Sequence, residues 1–164
     1  MKIAITGHRP SKLGNDYDLT SPLIGRIKER ILEELALNVP EGEDMIFITG
    51  MALGIDTLFA KIAVELGIPF IAAIPNTLQA RLWPKKSVEV WRELLNKAAQ
   101  VVDVSGGASS YHIHHLQKRN EWMVNTCDIL IAVWDESHGG TANCVEYAKS
   151  KEKKIIYINP KTII

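Results

Sequence analysis

Several short stretches of this 164-residue chain combine residue types and spacings suited to chemistry. Gly139-Gly140-Thr141 separates an apolar run from a helical pattern. At a helix start such a run offers free backbone N–H groups and a hydroxyl, which suits a phosphate. Gly7-His8-Arg9 ends another short apolar run, and Arg9 can add a bidentate guanidinium contact to the same anion. Gly50, Met51, Ala52 and Gly54 lie between a third apolar run and Asp56, where glycine lets the backbone turn sharply and approach a bound group. That loop reads equally as a ligand loop and as a tight strand-to-helix turn. Gln79 and Trp83 stand in a polar stretch. Trp83 and Trp134 offer flat surfaces for a base or ribose, although a tryptophan at a strand end serves the core at least as often.

Two carboxylates matter if the chemistry is cleavage of an N-glycosidic bond. That reaction passes through oxocarbenium character, so an acid must stabilise the cation or activate water. Asp56 and Asp135 are the acids that follow a strand closely enough, and they are the candidate catalytic residues. Each has a plainer alternative: Asp56 caps its helix, and Asp135 orders its loop. Asn120 shares a helical stripe with Leu116, Met123 and Cys127, where an apolar residue normally sits, so it needs a polar partner. Either it bonds nearby backbone, or it lines the ligand site together with Arg119.

No metal and no cofactor are expected. His112, His114 and His115 lack a carboxylate or cysteine at ligand spacing and read as a solvated helix start. Cys127 and Cys144 form no C-x-x-C pair and sit among apolar neighbours as reduced thiols. The first strand-to-helix turn is not G-x-G-x-x-G, and no strand runs into G-x-x-x-x-G-K-[ST]. Neither ordinary NAD binding nor P-loop ATP hydrolysis is supported.

The elements that must position these residues alternate regularly. Strands are expected at residues 2–5, 45–49, 68–74, 101–104, 129–134 and 154–158. Between them, Ser21-Pro22 opens a helix with Ile24, Ile27, Ile31 and Leu35 on one face. A second helix runs from about Asp56 to Leu66 and stops at Gly67, and Ser87 can cap a third. A fourth covers about 113–126, and Thr141 opens the last. This alternation implies right-handed βαβ crossovers. The expected fold is α/β: a Rossmann-like, doubly wound, mainly parallel sheet of about six strands with helices on both faces, forming one domain over residues 1–164. In such sheets ligands sit beyond the carboxyl ends of the strands, which is where all the loops above fall.

Nineteen basic and nineteen acidic residues cancel. This weighs against a broad electrostatic grip on nucleic acid or an acidic membrane, so an anion site must be local. The longest apolar runs are too short to span a bilayer, and the N-terminus lacks a signal-peptide layout, so a cytoplasmic location is expected.

The segments Thr6-Gly7-His8-Arg9-Pro10, Gly50-Met51-Ala52-Leu53-Gly54-Ile55-Asp56, Arg119-Asn120-Glu121-Trp122-Met123-Val124 and Gly139-Gly140-Thr141-Ala142-Asn143-Cys144 together resemble the YpsA-like family of bacteria and their phages. That family belongs to the SLOG superfamily, alongside DprA/Smf and the LOG "lysine decarboxylase-like" phosphoribohydrolases. The resemblance implies a nucleotide or nucleotide-derived ligand, with Asn143 among its contacts and a homodimer as the common assembly. It also leaves open a DprA-like module that binds single-stranded nucleic acid, which the zero net charge disfavours. LOG enzymes carry G-G-x-G-T-x-x-E with a catalytic glutamate, whereas this chain reads Gly140-Thr141-Ala142-Asn143-Cys144. Glu146 is the one glutamate on that helix, and it falls off the inward stripe.

Overall fold

The computed structural model describes residues 1–163. Six parallel strands form one sheet: β1 (Lys2–Gly7), β2 (Ile46–Thr49), β3 (Phe70–Ile74), β4 (Gln100–Asp103), β5 (Ile129–Val133) and β6 (Lys154–Ile158). Their spatial order is β4-β3-β2-β1-β5-β6. The connecting helices are α1 (Pro22–Asn38), α2 (Ile55–Leu66), α3 (Lys85–Lys97), α4 (His114–Thr126) and α5 (Gly140–Ser150). This is the expected α/β Rossmann-like architecture.

The first three crossovers step outward from β1 to β4, and the fourth returns across the sheet to place β5 on the other side of β1. With right-handed crossovers, α1, α2 and α3 fall on one face and α4 and α5 on the other. The two-residue period of the strands divides the core accordingly. Ile3 and Ile5 of β1 join Phe47, Ile131, Ile27 and Phe59 beneath the first three helices. Ala4, between them, joins Ile48, Leu130, Met123, Cys127 and Cys144 beneath α4 and α5. β3 and β5 are buried along their whole length, as strands covered on both faces must be. The winding reverses between β1 and β5, so a crevice opens beyond their carboxyl ends.

Element ends differ from the expected ones for identifiable reasons. Thr6 and Gly7, read as loop, continue β1 and pair with Ala132 and Val133. Gly7 fits there because a Cβ would lie 2.6 Å from the Ile55 side chain, so only glycine lets α2 pack this closely on β1. β3 begins at Phe70 because Gly67 is left-handed (φ 68°) and the Ile68 amide still closes the end of α2 on the Ala63 carbonyl. α3 begins at Lys85, with Pro84 at its N-cap, so Ser87 lies inside the helix rather than capping it. Ser21 does cap α1: its hydroxyl accepts the Ile24 amide at 3.3 Å. Among the described residues no helix is long and apolar enough to cross a membrane.

Candidate functional site

A cavity of about 300 Å³ lies at the reversal point, between the loops that follow β1 and β5 and the inner side of α4. Its rim is the start of α5. Gly139 holds φ at 143°, a conformation that favours glycine, and a Cβ on Gly140 would meet no heavy atom within 4 Å. Among the described residues, no protein acceptor takes the amides of Gly139, Gly140 or Thr141. The first turn of an 11-residue helix therefore presents unpaired N–H groups, with its dipole behind them, to the cavity. Arg9 lines the same space, is exposed, and has no carboxylate within salt-bridge distance among the described residues. Lys12 reaches across the opening, its ammonium donating to the Ser137 hydroxyl and, at 3.4 Å, to the His138 carbonyl.

The floor is polar and buried. Asp56 and Arg119 are each 6% exposed, and both face the cavity. Arg119 donates from Nη1 to the Gly50 carbonyl at 2.5 Å and from Nε to the Asn120 side-chain oxygen at 3.0 Å. Asn120 in turn points its amide at the Gly140 carbonyl, 3.5 Å away, linking the floor to the rim. Asp56 accepts the Ala52 amide on Oδ2 at 3.2 Å. Burial raises the pKa of Asp56, opposed by the Arg119 charge, the Ala52 amide and Arg9. Burial likewise lowers that of Arg119, opposed by Asp56. The arrangement keeps one cation buried and held by carbonyl oxygens, beside a carboxyl whose proton is retained to higher pH than usual.

The Gly50–Gly54 loop proves to be closed on itself. Met51 (φ 59°) is fully buried and donates its amide to the Thr49 hydroxyl at 3.3 Å. The Ile55 amide, first of α2, donates to the His8 carbonyl at 3.2 Å. The first amide of α2 is thus taken by the chain itself, with the His8–Arg9 backbone packed against Gly54, whereas at α5 the amides of Gly139, Gly140 and Thr141 face the cavity. Gly54 sits at φ 90° where a Cβ would lie 2.4 Å from the His8 carbonyl oxygen, and a Cβ on Gly50 would lie 2.6 Å from the Arg119 guanidinium. These glycines allow close packing between loops, a role the strand-glycine-helix pattern does not distinguish from ligand approach. Nor is Asp56 the N-cap of α2, since that position is Gly54.

The structure brings Gly7, His8, Arg9, Ala52, Asp56, Arg119, Asn120, Gly139, Gly140 and Thr141 around one cavity. Others stand apart from it. Gly50, Met51 and Gly54 do not line it, and Gly54 borders a separate cavity of about 210 Å³ beside Thr57 and Lys61. Asn143 projects outward from α5 and is exposed, as is Glu146. Gln79 bridges the Gly50 carbonyl and the Trp91 indole at 2.9 Å each, and with Trp83 it borders a smaller neighbouring cavity of about 190 Å³. Asp135 turns away: Oδ1 accepts the Ser137 amide at 2.9 Å and Oδ2 lies 3.3 Å from the Lys161 ammonium. The Ser137 hydrogen bonds hold its pKa far below the usual carboxylate range. Lys12, Ser137, His138 and Met123 also line the main cavity, and local sequence gave no signal for them beyond their nearness to the glycines. His112, His114 and His115 gather with ring centroids 4.5–5.5 Å apart, and no group of three or more His, Cys, Asp or Glu among the described residues is arranged to hold a metal.

Three comparisons place this geometry among known proteins. The chain is 28% identical over 145 residues to the SPβ prophage-derived protein YoqJ of Bacillus subtilis (strain 168), an alignment covering 80% of this chain and 85% of that one. The fold is similar to that of DNA processing protein A (DprA) from Streptococcus pneumoniae (TM-score 0.62, 21% identity), covering 96% of this chain but 50% of the other. It is similar also to DprA from Helicobacter pylori, whose structure describes a single-stranded DNA binding mode (TM-score 0.63, 19% identity, 96% and 64% covered). The chain thus spans about half to two-thirds of the DprA chains, and at these identities the likeness concerns the fold. The model of the YspA SLOG family matches residues 3–163, and the chain belongs to the YspA SLOG family.

Proposed function

We propose that the main cavity binds a phosphorylated nucleoside derivative and holds it without rapid cleavage, as a sensor or sequestering protein does. The observation that carries this reading is the convergence on one cavity of the unpaired α5 amides and the unpaired Arg9 guanidinium. Around them stand Lys12, the buried Arg119 and a single carboxyl, Asp56, whose proton is retained to higher pH. The balance of charge favours an anion. A phosphate fits the rim, and the sugar then lies between Asp56 and Asn120 on the floor and Arg9 and Leu116 at the side.

Turnover is disfavoured by the same residues. At the position where LOG enzymes carry their glutamate stands Cys144, fully buried in the core with its thiol pushed up to about 12. Asp135 points toward Lys161 and Ser137. Asp56 is left as the one acid able to act, and it would serve better as a proton donor to a ligand oxygen than as a charged stabiliser of an oxocarbenium ion.

Thermal-shift screening against nucleoside monophosphates, ADP-ribose and cyclic nucleotides tests the binding. Stabilisation by one of these, lost in Gly140→Asp, is the expected result. If none stabilises the wild type, the proposal is wrong.

The likeness to DprA supports a second reading, in which the same edge binds single-stranded nucleic acid. Arg9, Lys12 and Arg81 supply local charge near the opening, against a net charge of zero for the chain. Fluorescence anisotropy with a labelled oligonucleotide at low salt separates the readings, because strand binding falls steeply with added salt.

A further inference from the structure

The neighbouring 190 Å³ cavity shares two residues, Arg9 and Leu116, with the main one. The two cavities therefore adjoin across these two side chains. Its remaining walls are Leu78, Leu82, Trp83, Tyr111 and Arg81, besides Gln79. The Arg81 guanidinium lies over the Tyr111 ring at 5.5 Å from its centroid, and Trp83 is fixed edge-on against Trp91 (centroids 6.4 Å apart, 80° between planes). Gln79 holds the whole segment against the Gly50 carbonyl. Among the described residues no carboxylate lines this annex, and both amide ends of Gln79 already have partners, so its side-chain hydrogen-bonding groups are the guanidinium groups, the Tyr111 hydroxyl and the Trp83 indole N–H. Flat rings, a guanidinium plane and aliphatic side chains make a surface for stacking, not for ion coordination. Leu82, an apolar side chain at the mouth, is 84% exposed.

Building on the phosphate reading above, we infer that the annex between Arg81, Tyr111 and Leu82 is a nucleobase subsite, so that the ligand lies with its phosphate on α5, its sugar by Arg9 and Leu116, and its base stacked in the annex. The sharing of Arg9 and Leu116 sets this direction, because a ligand that spans both cavities must run past these two side chains. Since stacking accepts any planar base and the annex lacks a carboxylate or a free side-chain amide, discrimination among bases is weak and discrimination between a base and no base is strong.

The test is isothermal titration calorimetry with ribose 5-phosphate and with AMP, GMP, CMP and UMP, on the wild type, Arg81→Ala, Tyr111→Ala and Tyr111→Phe. The nucleotides are expected to bind on the order of tenfold tighter than ribose 5-phosphate, from the contribution of one stacked base. Tyr111→Ala and Arg81→Ala should bring the nucleotides down toward ribose 5-phosphate while leaving ribose 5-phosphate itself unchanged. Tyr111→Phe, which keeps the ring, should behave as wild type, and unchanged melting temperatures confirm that the variants are folded. Equal affinity of the wild type for ribose 5-phosphate and the nucleotides overturns the annex and leaves the phosphate site standing. A loss shared by ribose 5-phosphate and nucleotides in the annex variants overturns it too. Binding of neither class by the wild type removes the phosphate reading, and the annex with it.

Discussion

His8 Nε2 lies 2.9 Å from both the backbone nitrogen and the Oδ1 of Asp135, joining the loop after β1 to the loop after β5 across the point where the sheet reverses. The two distances require opposite states of Nε2. Without a proton, Nε2 accepts the Asp135 amide; with one, in the neutral Nε2–H tautomer or in the imidazolium, it donates to the carboxylate. Burial lowers the His8 pKa, with the Asp135 charge acting against it, so the neutral form is the folded state near neutral pH.

A pH dependence of stability follows, with a definite sign. Because the folded pKa lies below the unfolded value of about 6.5, the unfolded chain binds more protons as the solution is acidified, and stability falls as pH drops below about 6.5 toward the folded pKa. His115, buried and beside Asn76, is shifted in the same direction and adds to the slope. His8→Gln supplies an amide oxygen to accept the Asp135 amide but has no proton to gain. Urea unfolding between pH 5 and pH 8 should show a shallower slope in His8→Gln than in the wild type. Identical slopes would mean that His8 is not held neutral by the fold.

Gly54 and Gly140 separate structure from binding. Gly54→Ala places a methyl at φ 90° and 2.4 Å from the His8 carbonyl oxygen, and should cost ~2–4 kcal/mol from backbone strain and overpacking together. Gly140→Ala meets no neighbour within 4 Å and should leave the unfolding midpoint within ~0.5 kcal/mol of wild type while weakening nucleotide affinity by crowding the α5 amides. Denaturation of both variants, with calorimetric titration of the second, checks the pair. A strongly destabilised Gly140→Ala protein would show that this glycine serves the fold.

This contrast marks what the sequence can and cannot reveal. The strands from Phe70 and from Ile129 were legible because burial on both faces leaves an unbroken apolar run, and α1 because Ser21-Pro22 is a local start signal. The glycine loops were legible as loops. Which of the two offers its helix start to a ligand was not, because the answer lies in the His8 carbonyl, more than forty residues from the Ile55 amide it accepts. Asp135 was legible as a loop acid after β5, including its local bond from the Ser137 amide, whereas its contacts with His8 and Lys161 are tertiary and were not.

Arg119 and Asp56 should respond oppositely to neutralisation. Arg119→Met removes the charged donor to the Gly50 carbonyl and to the Asn120 side-chain oxygen, and should cost ~3 kcal/mol, in the range for hydrogen bonds made by a buried charged group. Asp56→Asn keeps an oxygen for the Ala52 amide and removes a carboxyl whose ionised form is penalised by burial. Its stability at pH 7 should match or exceed that of the wild type. Guanidinium unfolding of the two single variants and the double variant gives the coupling energy directly. If Asp56→Asn is as damaging as Arg119→Met, the pair is a fully ionised structural bridge and Asp56 is not available to a ligand.

The last prediction concerns turnover. The wild type, incubated with nucleoside monophosphates and ADP-ribose, is expected to bind without releasing free base. Among the described residues Asp56 is the carboxyl that lines the cavity, and burial raises its pKa against the opposing Arg119 charge; Asp135 is bonded by Ser137 and His8, and Cys144 replaces the glutamate of the LOG motif. Chromatography of the free base over time, alongside calorimetric affinity, distinguishes the outcomes. Base release by the wild type that disappears in Asp56→Asn while binding persists would make Asp56 the catalytic acid and the protein an N-glycosidase. Release that disappears instead in Asp135→Asn would require the loop after β5 to rearrange on binding, breaking the His8 contact, and the pH slope of His8→Gln should then match that of wild type once nucleotide is bound.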